Sequence, residues 1–206
     1  MNFYYNGTDI YNDVSVNYCV HEMFAEKQAD TLVIRFNDTK GIWSKWQPAA
    51  GDTVRFKEGA SDTGKMFIHS MKPENGLFTI RAMSMPKTAK IRKSKSWEGV
   101  RFLQLANEFA GNHGLTFKNY GCEDQVYPYI KQDNEGDFSL FSRLCMLEGC
   151  QMLIFDGSLL AYNEHYIEQQ EPAGGLTVDE NGVFTYEDNR DTMFGSCEVA
   201  SGSYSG

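Results

Sequence analysis

The chain has 206 residues, of which 41% are hydrophobic, 14% aromatic and 23% charged, the composition of an ordinary globular protein able to bury a core. At roughly 100 to 200 residues per domain, this length allows one domain or two small modules and leaves no room for a large multidomain enzyme. The formal net charge of -9 is unevenly spread: residues 1–114 carry 15 basic and 12 acidic side chains, a balance of +3, whereas residues 115–206 carry 4 and 16, a balance of -12.

Residues 1–85 read as successive short strands. Asn6-Gly7 and Asn75-Gly76 supply the positive φ of tight hairpins, the second between KMFIHSM and LFTIRAM. Val14 to Val20, Thr31 to Phe36 and Thr53 to Phe56 are further strand candidates, with polar residues at alternating positions. Regular short strands of this kind suggest a small barrel or rolled sheet. Between two of them lies GIWSKWQPAAGD, whose Trp43 and Trp46 either plug one end of the barrel or face a partner.

Pro86 to Ser96 (PKTAKIRKSKS) is the concentrated basic stretch, with Lys87, Lys90, Arg92, Lys93 and Lys95 and no acid among them. It reads as a solvated linker or as a grip for phosphate or an acidic partner. Thereafter the apolar period changes. Ser96 is placed to cap a helix starting at Trp97, with Phe102, Leu103, Ala106, Phe109 and Ala110 as its apolar stripe and Gly111 or Asn112 at its end. A strand around Leu115 to Phe117 follows, then a loop with Cys122 and Tyr127-Pro128. Asp137 is expected to cap a second helix that buries Phe138, Phe141, Leu144 and Cys145 and stops at Gly149, before a hairpin turning at Asp156-Gly157. Beyond Pro172, Leu176 to Tyr186 could form another hairpin around Asn181-Gly182, and the chain stops at SGSYSG as if truncated or cut inside a second barrel.

This reading gives an α+β, β-rich fold. It has an N-terminal small β-barrel (residues 1–86), a basic linker (87–96), a small α/β unit of helix, strand, helix and hairpin (97–168), and the start of a second barrel or tail segment (169–206). No stretch approaches the roughly 20 apolar residues of a membrane span, and MNFYYNGTDIYND lacks a basic region followed by an apolar one. The chain is therefore expected to be soluble, without a classical export signal.

Catalytic chemistry finds little support in the residues. His21-Glu22 opens like a zincin motif, but Ala25 stands where the second histidine belongs. His69 falls in a strand and His113 in a helix-ending turn, positions that suit polar surface or C-cap roles. Five cysteines (Cys19, Cys122, Cys145, Cys150, Cys197) cannot all pair within one chain, and they read as buried thiols of a protein folded under reducing conditions. Glu148, Asp156 and Glu164 are conceivable glycosidase acids, although turn and surface roles account for them. No GxGxxG, P-loop or GxSxG motif occurs. No cofactor and no metal are called for.

The segment GDFSLFSRLCMLEGCQMLIFDGSLLAY (residues 136–162) resembles the late-control D-type baseplate hub proteins of contractile phage tails and related tail-like injection systems. It shares with them a helix with Phe141, Arg143 and Leu144, a stop at Gly149 and a hairpin over Asp156 to Leu159. IWSKWQPAAGDTVRF with the hairpin after it, and WEGVRFLQLANEFAGNHGLTF, are similar to that family's first barrel and to the helix opening its inserted unit. The resemblance covers roughly residues 1–165. It implies a non-enzymatic part of a virion or tail-like particle assembled in the bacterial cytoplasm: a homotrimer of paired barrels that joins the tail tube protein to the spike protein and matches six-fold to three-fold symmetry. Nucleic acid would meet it only by passing through the tube. Lys87, Lys90, Arg92, Lys93, Lys95, Trp43 and Trp46 are then the candidate contacts with a partner or the tube lumen. The alternatives are a tail-associated cell-wall hydrolase or a carbohydrate-binding module with Trp43 and Trp46 as a stacking platform.

Overall fold

A computed structural model describes residues 1–24, 29–172, 174, 200, 201, 204 and 205. Two compact units are present, residues 1–170 and 171–206. The fold is α+β and β-rich, as the alternating patterns require.

In the first unit the chain opens with β1 (Asn2–Tyr5) and β2 (Thr8–Asp9), joined by Asn6 and Gly7 at φ 47° and 84°, both in the left-handed region that a tight hairpin needs. Then come β3 (Ser15–Glu22), β4 (Thr31–Asn37), a short helix α1 (Ile42–Trp46), β5 (Thr53–Glu58), β6 (Ser61–Asp62), β7 (Met66–Glu74) and β8 (Leu77–Met83). These strands pair antiparallel in the order β2-β1-β5-β7-β8-β4-β3, with β6 on β5. Among the described residues no ladder joins β3 back to β2, so the sheet is rolled without being hydrogen-bonded shut. Period-two alternation sends Leu32, Ile34 and Phe36, Val54 and Phe56, and Phe78, Ile80 and Ala82 to one face, where they form a buried cluster with Phe3, Met66 and Ile68.

A 3-10 turn at Lys87–Lys90 leads into β9 (Lys93–Arg101), followed by α2 (Phe102–Asn112), β10 (Thr116–Tyr120), β11 (Val126–Glu135), α3 (Asp137–Leu147), β12 (Gln151–Phe155), β13 (Ser158–Tyr162) and α4 (Glu164–Glu168). β9 and β11 form an antiparallel ribbon, while β13 lies between β10, to which it is parallel, and β12. α2 and α3 close a second core around Phe102, Leu105, Phe109, Phe138, Phe141 and Leu144, in which Phe102 stacks on Phe141 at 5.2 Å.

Three expectations need correction here. Residues 93–101 are a strand, so the basic stretch runs into a ribbon and Ser96 caps nothing; α2 starts at Phe102 behind Arg101. The expected loop around Tyr127-Pro128 lies in the ten-residue β11, and pairing with β9 overrides the weak strand propensity of its Lys, Gln, Asp and Asn. Asp137 is the first residue of α3 and not its cap; the N-cap is Gly136, and the aspartate side chain turns inward. In the second unit a pair of two-residue strands, β14 (Ala200–Ser201) and β15 (Tyr204–Ser205), is described. The hairpin expected at Leu176 to Tyr186 and Cys197 lie outside the described residues.

The β12–β13 turn docks on the rolled sheet. Asp156 accepts a hydrogen bond from the Lys65 backbone N–H at 2.9 Å and approaches Arg55 at 3.6 Å. A Cβ on Gly64 would stand 3.1 Å from the Asp156 backbone, and Gly64 has φ +64°. Gly64→Ala is therefore expected to cost about 1–2 kcal/mol in backbone strain alone. Amide hydrogen exchange checks this: protection should fall together around residues 62–66 and 154–158.

Candidate interaction surfaces

Of the five cations in the basic stretch, two are paired with acids. Lys93 Nζ lies 2.9 Å from Asp137 Oδ2. Lys95 Nζ meets Glu108 at 2.6 Å and sits 4.6 Å from the centre of the Trp97 ring, whose indole N–H also donates to Glu108. Lys87, Lys90 and Arg92 are exposed, as is Ile91.

Asp137 is 1% exposed and has four side-chain donors around it. Its Oδ2 accepts from Lys93, from Asn112 Nδ2 at 3.1 Å and from His113 Nε2 at 3.1 Å, and its Oδ1 accepts from Gln132 Nε2 at 2.9 Å. Because a carboxylate only accepts, Nε2 of His113 carries the proton, and Nδ1 accepts from the Thr88 hydroxyl at 2.9 Å. Thr88, His113 and Asp137 thus have the connectivity of a nucleophile relay. Three further donors, one of them an ammonium, draw the Asp137 charge away from the imidazole, and the node joins the 3-10 turn, β9, α2, β11 and α3. We assign it a structural role. Gln132 Oε1 is buried there without a partner.

Burial pushes the Asp137 carboxyl up, but the hydrogen bonds from Gln132, Lys93 and Asn112 outweigh it and leave it below the usual carboxylate range. Burial also lowers His113, against the opposing pull of Asp137, and lowers His69, whose Nε2 lies 2.8 Å from the Met85 carbonyl and which Lys90 and Lys87 depress further. A histidine with a depressed folded pKa takes up its proton more readily in the unfolded chain. Stability is therefore expected to decline as pH falls below about 6.5, and a second loss, to which Asp137 contributes with the depressed carboxyls of Asp52, Asp62 and Asp124, to begin below about 4. Thermal melts across this range check both limbs, and His69→Gln with His113→Gln should flatten the first.

The two tryptophans meet edge-on at 5.4 Å but differ in burial. Trp43 is 1% exposed, stacks on Phe78 at 5.3 Å and contacts Phe36 at 4.7 Å, so it plugs the rolled sheet. Asp38 places it, accepting from the Ile42 and Trp43 backbone N–H groups at the start of α1. Trp46 is 39% exposed. Trp43 is thereby removed from the candidate surface contacts, and a platform of two exposed indoles does not form.

The outer edge of β3 is a further surface. Among the described residues no strand pairs with it, residues 14–20 (VSVNYCV) carry no charge, and Tyr18 and Val20 are exposed. Elsewhere, a groove of about 610 Å³ includes Tyr4, Arg55, Lys57, Lys65 and Asp156 in its walls. Asp62 engages Arg55 through two hydrogen bonds and Lys57 at 2.9 Å. Cys122, Cys145 and Cys150 are buried and free, and burial raises all three thiols, which makes them poor nucleophiles. Burial likewise lifts Cys19 to about 11. The three conceivable glycosidase acids sit on separate elements: Glu148 accepts from the Tyr127 phenol at 2.5 Å, Asp156 holds the docked turn, and Glu164 opens α4.

The Asp137 node and Ile91 escaped the sequence reading. The node's partners are scattered from residue 88 to residue 137, and no local spacing announces them. Ile91 stands among cations in PKTAKIRKSKS and was legible there as an apolar residue on a charged turn.

No family model and no curated protein matches the sequence. Solved structures do match its fold. The 43 kDa tail protein of prophage MuSo2 from Shewanella oneidensis superposes with a TM-score of 0.56 at 12% identity, over 78% of this chain and 53% of that one. A tail protein from Neisseria meningitidis MC58 gives 0.56 at 11%, over 78% and 49%. An E. coli component of the type VI secretion system, described as structurally similar to the T4 bacteriophage tail proteins gp27 and gp5, gives 0.56 at 14%, over 79% and 49%. The chain spans about half the length of these structures and shares its fold with tail proteins.

Proposed function

We propose that the chain is a structural part of a phage tail or tail-like injection particle, and within it the baseplate hub that joins the tail tube to the central spike as a homotrimer. The observation that carries this reading is the shared fold: three tail or secretion-system proteins superpose on more than three quarters of the chain. In this reading residues 1–86 are the tube-type domain, 97–168 the small α/β domain and 169–206 the start of a second barrel, with the tube and spike proteins as partners. The uncharged outer edge of β3 supports it, because such an edge is available for a neighbouring subunit. Among the described residues no helix is long and apolar enough to cross a membrane.

Light scattering after size-exclusion chromatography tests the ring. A mass near three times 23.4 kDa is expected, and Val20→Lys should shift it towards the monomer by putting a charge on the edge. A single-chain mass at every concentration overturns the trimer. The joining role is tested in the producing cell, where deletion should leave tail tubes without a spike; complete particles after deletion would overturn it.

A further inference from the structure

We propose that Lys87, Lys90, Ile91 and Arg92 form a preorganised docking surface for a carboxylate-rich segment of another protein. The argument begins with what is left over. Among the described residues no carboxylate lies within ion-pair distance of Lys87, Lys90 or Arg92, whereas Lys93 and Lys95 on the same stretch are each spent on an acid. Three unpaired cations within six residues concentrate positive potential on a chain whose net charge is negative. His69 lies close enough for Lys87 and Lys90 to depress its pKa, so the potential reaches into the sheet beside the turn.

The turn is also fixed. Pro86 is buried and Ala89 is 6% exposed, anchoring its underside. The Ala89 N–H donates to the Pro86 carbonyl and the Ile91 N–H to the Thr88 carbonyl, both at 3.1 Å. Thr88 is tied through His113 to Asp137, and Lys93 returns to the same carboxylate. Gly136 lets the turn pack closely: a Cβ there would stand 2.8 Å from the Ala89 carbonyl oxygen. With residues 86, 88, 89 and 93 pinned, the backbone that carries the exposed residues 87 and 90–92 is held in place, so a partner loses less entropy in ordering that backbone.

Ile91 decides the kind of partner. It is 57% exposed in the middle of the cations, an apolar contact ringed by charge. A sugar-phosphate backbone has nothing to match it. A protein segment with Asp or Glu residues around one apolar side chain satisfies both features and approaches locally. This inference is independent of the hub reading, because peptide binding is measured without tubes, spikes or ring formation.

The test uses the full chain and a fluorescein-labelled synthetic peptide of glutamates flanking one leucine, followed by fluorescence anisotropy. Binding at low salt that weakens at high salt is expected. Lys87→Ala with Lys90→Ala and Arg92→Ala should weaken it by about tenfold or more, and Ile91→Ser by roughly threefold or more. All four positions are exposed, so an unchanged melting temperature shows that the variants fold. A third variant, Thr88→Val, should weaken binding without altering its salt dependence, because it loosens the turn and leaves the charges in place. The proposal is overturned by absence of binding at low salt, by equal affinity in the triple variant, or by single-stranded DNA of equal charge binding as tightly as the peptide.

Discussion

Asp137→Ala is expected to destabilise the chain by about 3–5 kcal/mol, the scale for removing one partner of a buried charge pair. The loss exceeds one ion pair because four donors lose their acceptor together: Lys93, Asn112, His113 and Gln132. Asp137→Asn keeps the shape and removes the charge, but its amide group would face donors and leave at least one of them unsatisfied. Urea melts should show both variants well below the parent, with the alanine variant the lower. Asp137→Asn should also show a shallower decline in stability below about pH 4, because this carboxyl contributes to that limb alongside Asp52, Asp62 and Asp124, which are also held below the usual carboxylate range. An asparagine variant as stable as the parent would mean that the node is solvated and of little consequence.

Trp43→Ala is the second large effect, at about 3–5 kcal/mol, from lost transfer energy and the cavity left behind. The indole lies among Phe3, Tyr5, Phe36 and Phe78, side chains from β1, β4 and β8, so its removal opens a void where three strands meet. Trp46→Ala, nearly one turn on and 39% exposed, removes an edge-on ring contact with Trp43 at 5.4 Å and should cost about 1 kcal/mol. Urea melts of the two variants should therefore diverge. Tryptophan fluorescence gives a second readout: Trp43 supplies the blue-shifted emission of a buried indole, and only its loss should shift the remaining spectrum towards the red.

The parts of the fold that were legible in the sequence are those where a local pattern and its burial agree. Leu32, Ile34 and Phe36 alternate because one face of β4 is core and the other is not, and α2 and α3 show their apolar stripes. Asp156-Gly157 reads as a two-residue turn and is one, with both residues at positive φ. The failures lie where a distant partner decides. KSKSWEGVR has the composition of a linker and becomes a strand because VYPYIKQDNE pairs with it across more than twenty intervening residues. Asp137 has the look of a helix cap from its neighbours alone, and only the arrival of Lys93, Asn112 and Gln132 from other elements draws the carboxylate inward. The candidate surface was half legible for the same reason. The five cations were visible as a run, but which of them stay unpaired depends on Asp137 and Glu108.

The β9–β11 ribbon has few buried side chains to fix its alignment, and a shift of one residue in such a ribbon exchanges its two faces. Lys93 and Gln132 come from opposite strands of it and converge on one carboxylate, with a bulge between Gln132 and Glu135 to let them do so. A slipped ribbon would strand a charge on Asp137, whereas the true alignment satisfies it. The buried aspartate thus acts as a checksum on strand alignment: Asp137→Leu could recover stability through packing, yet it would no longer penalise the misaligned form.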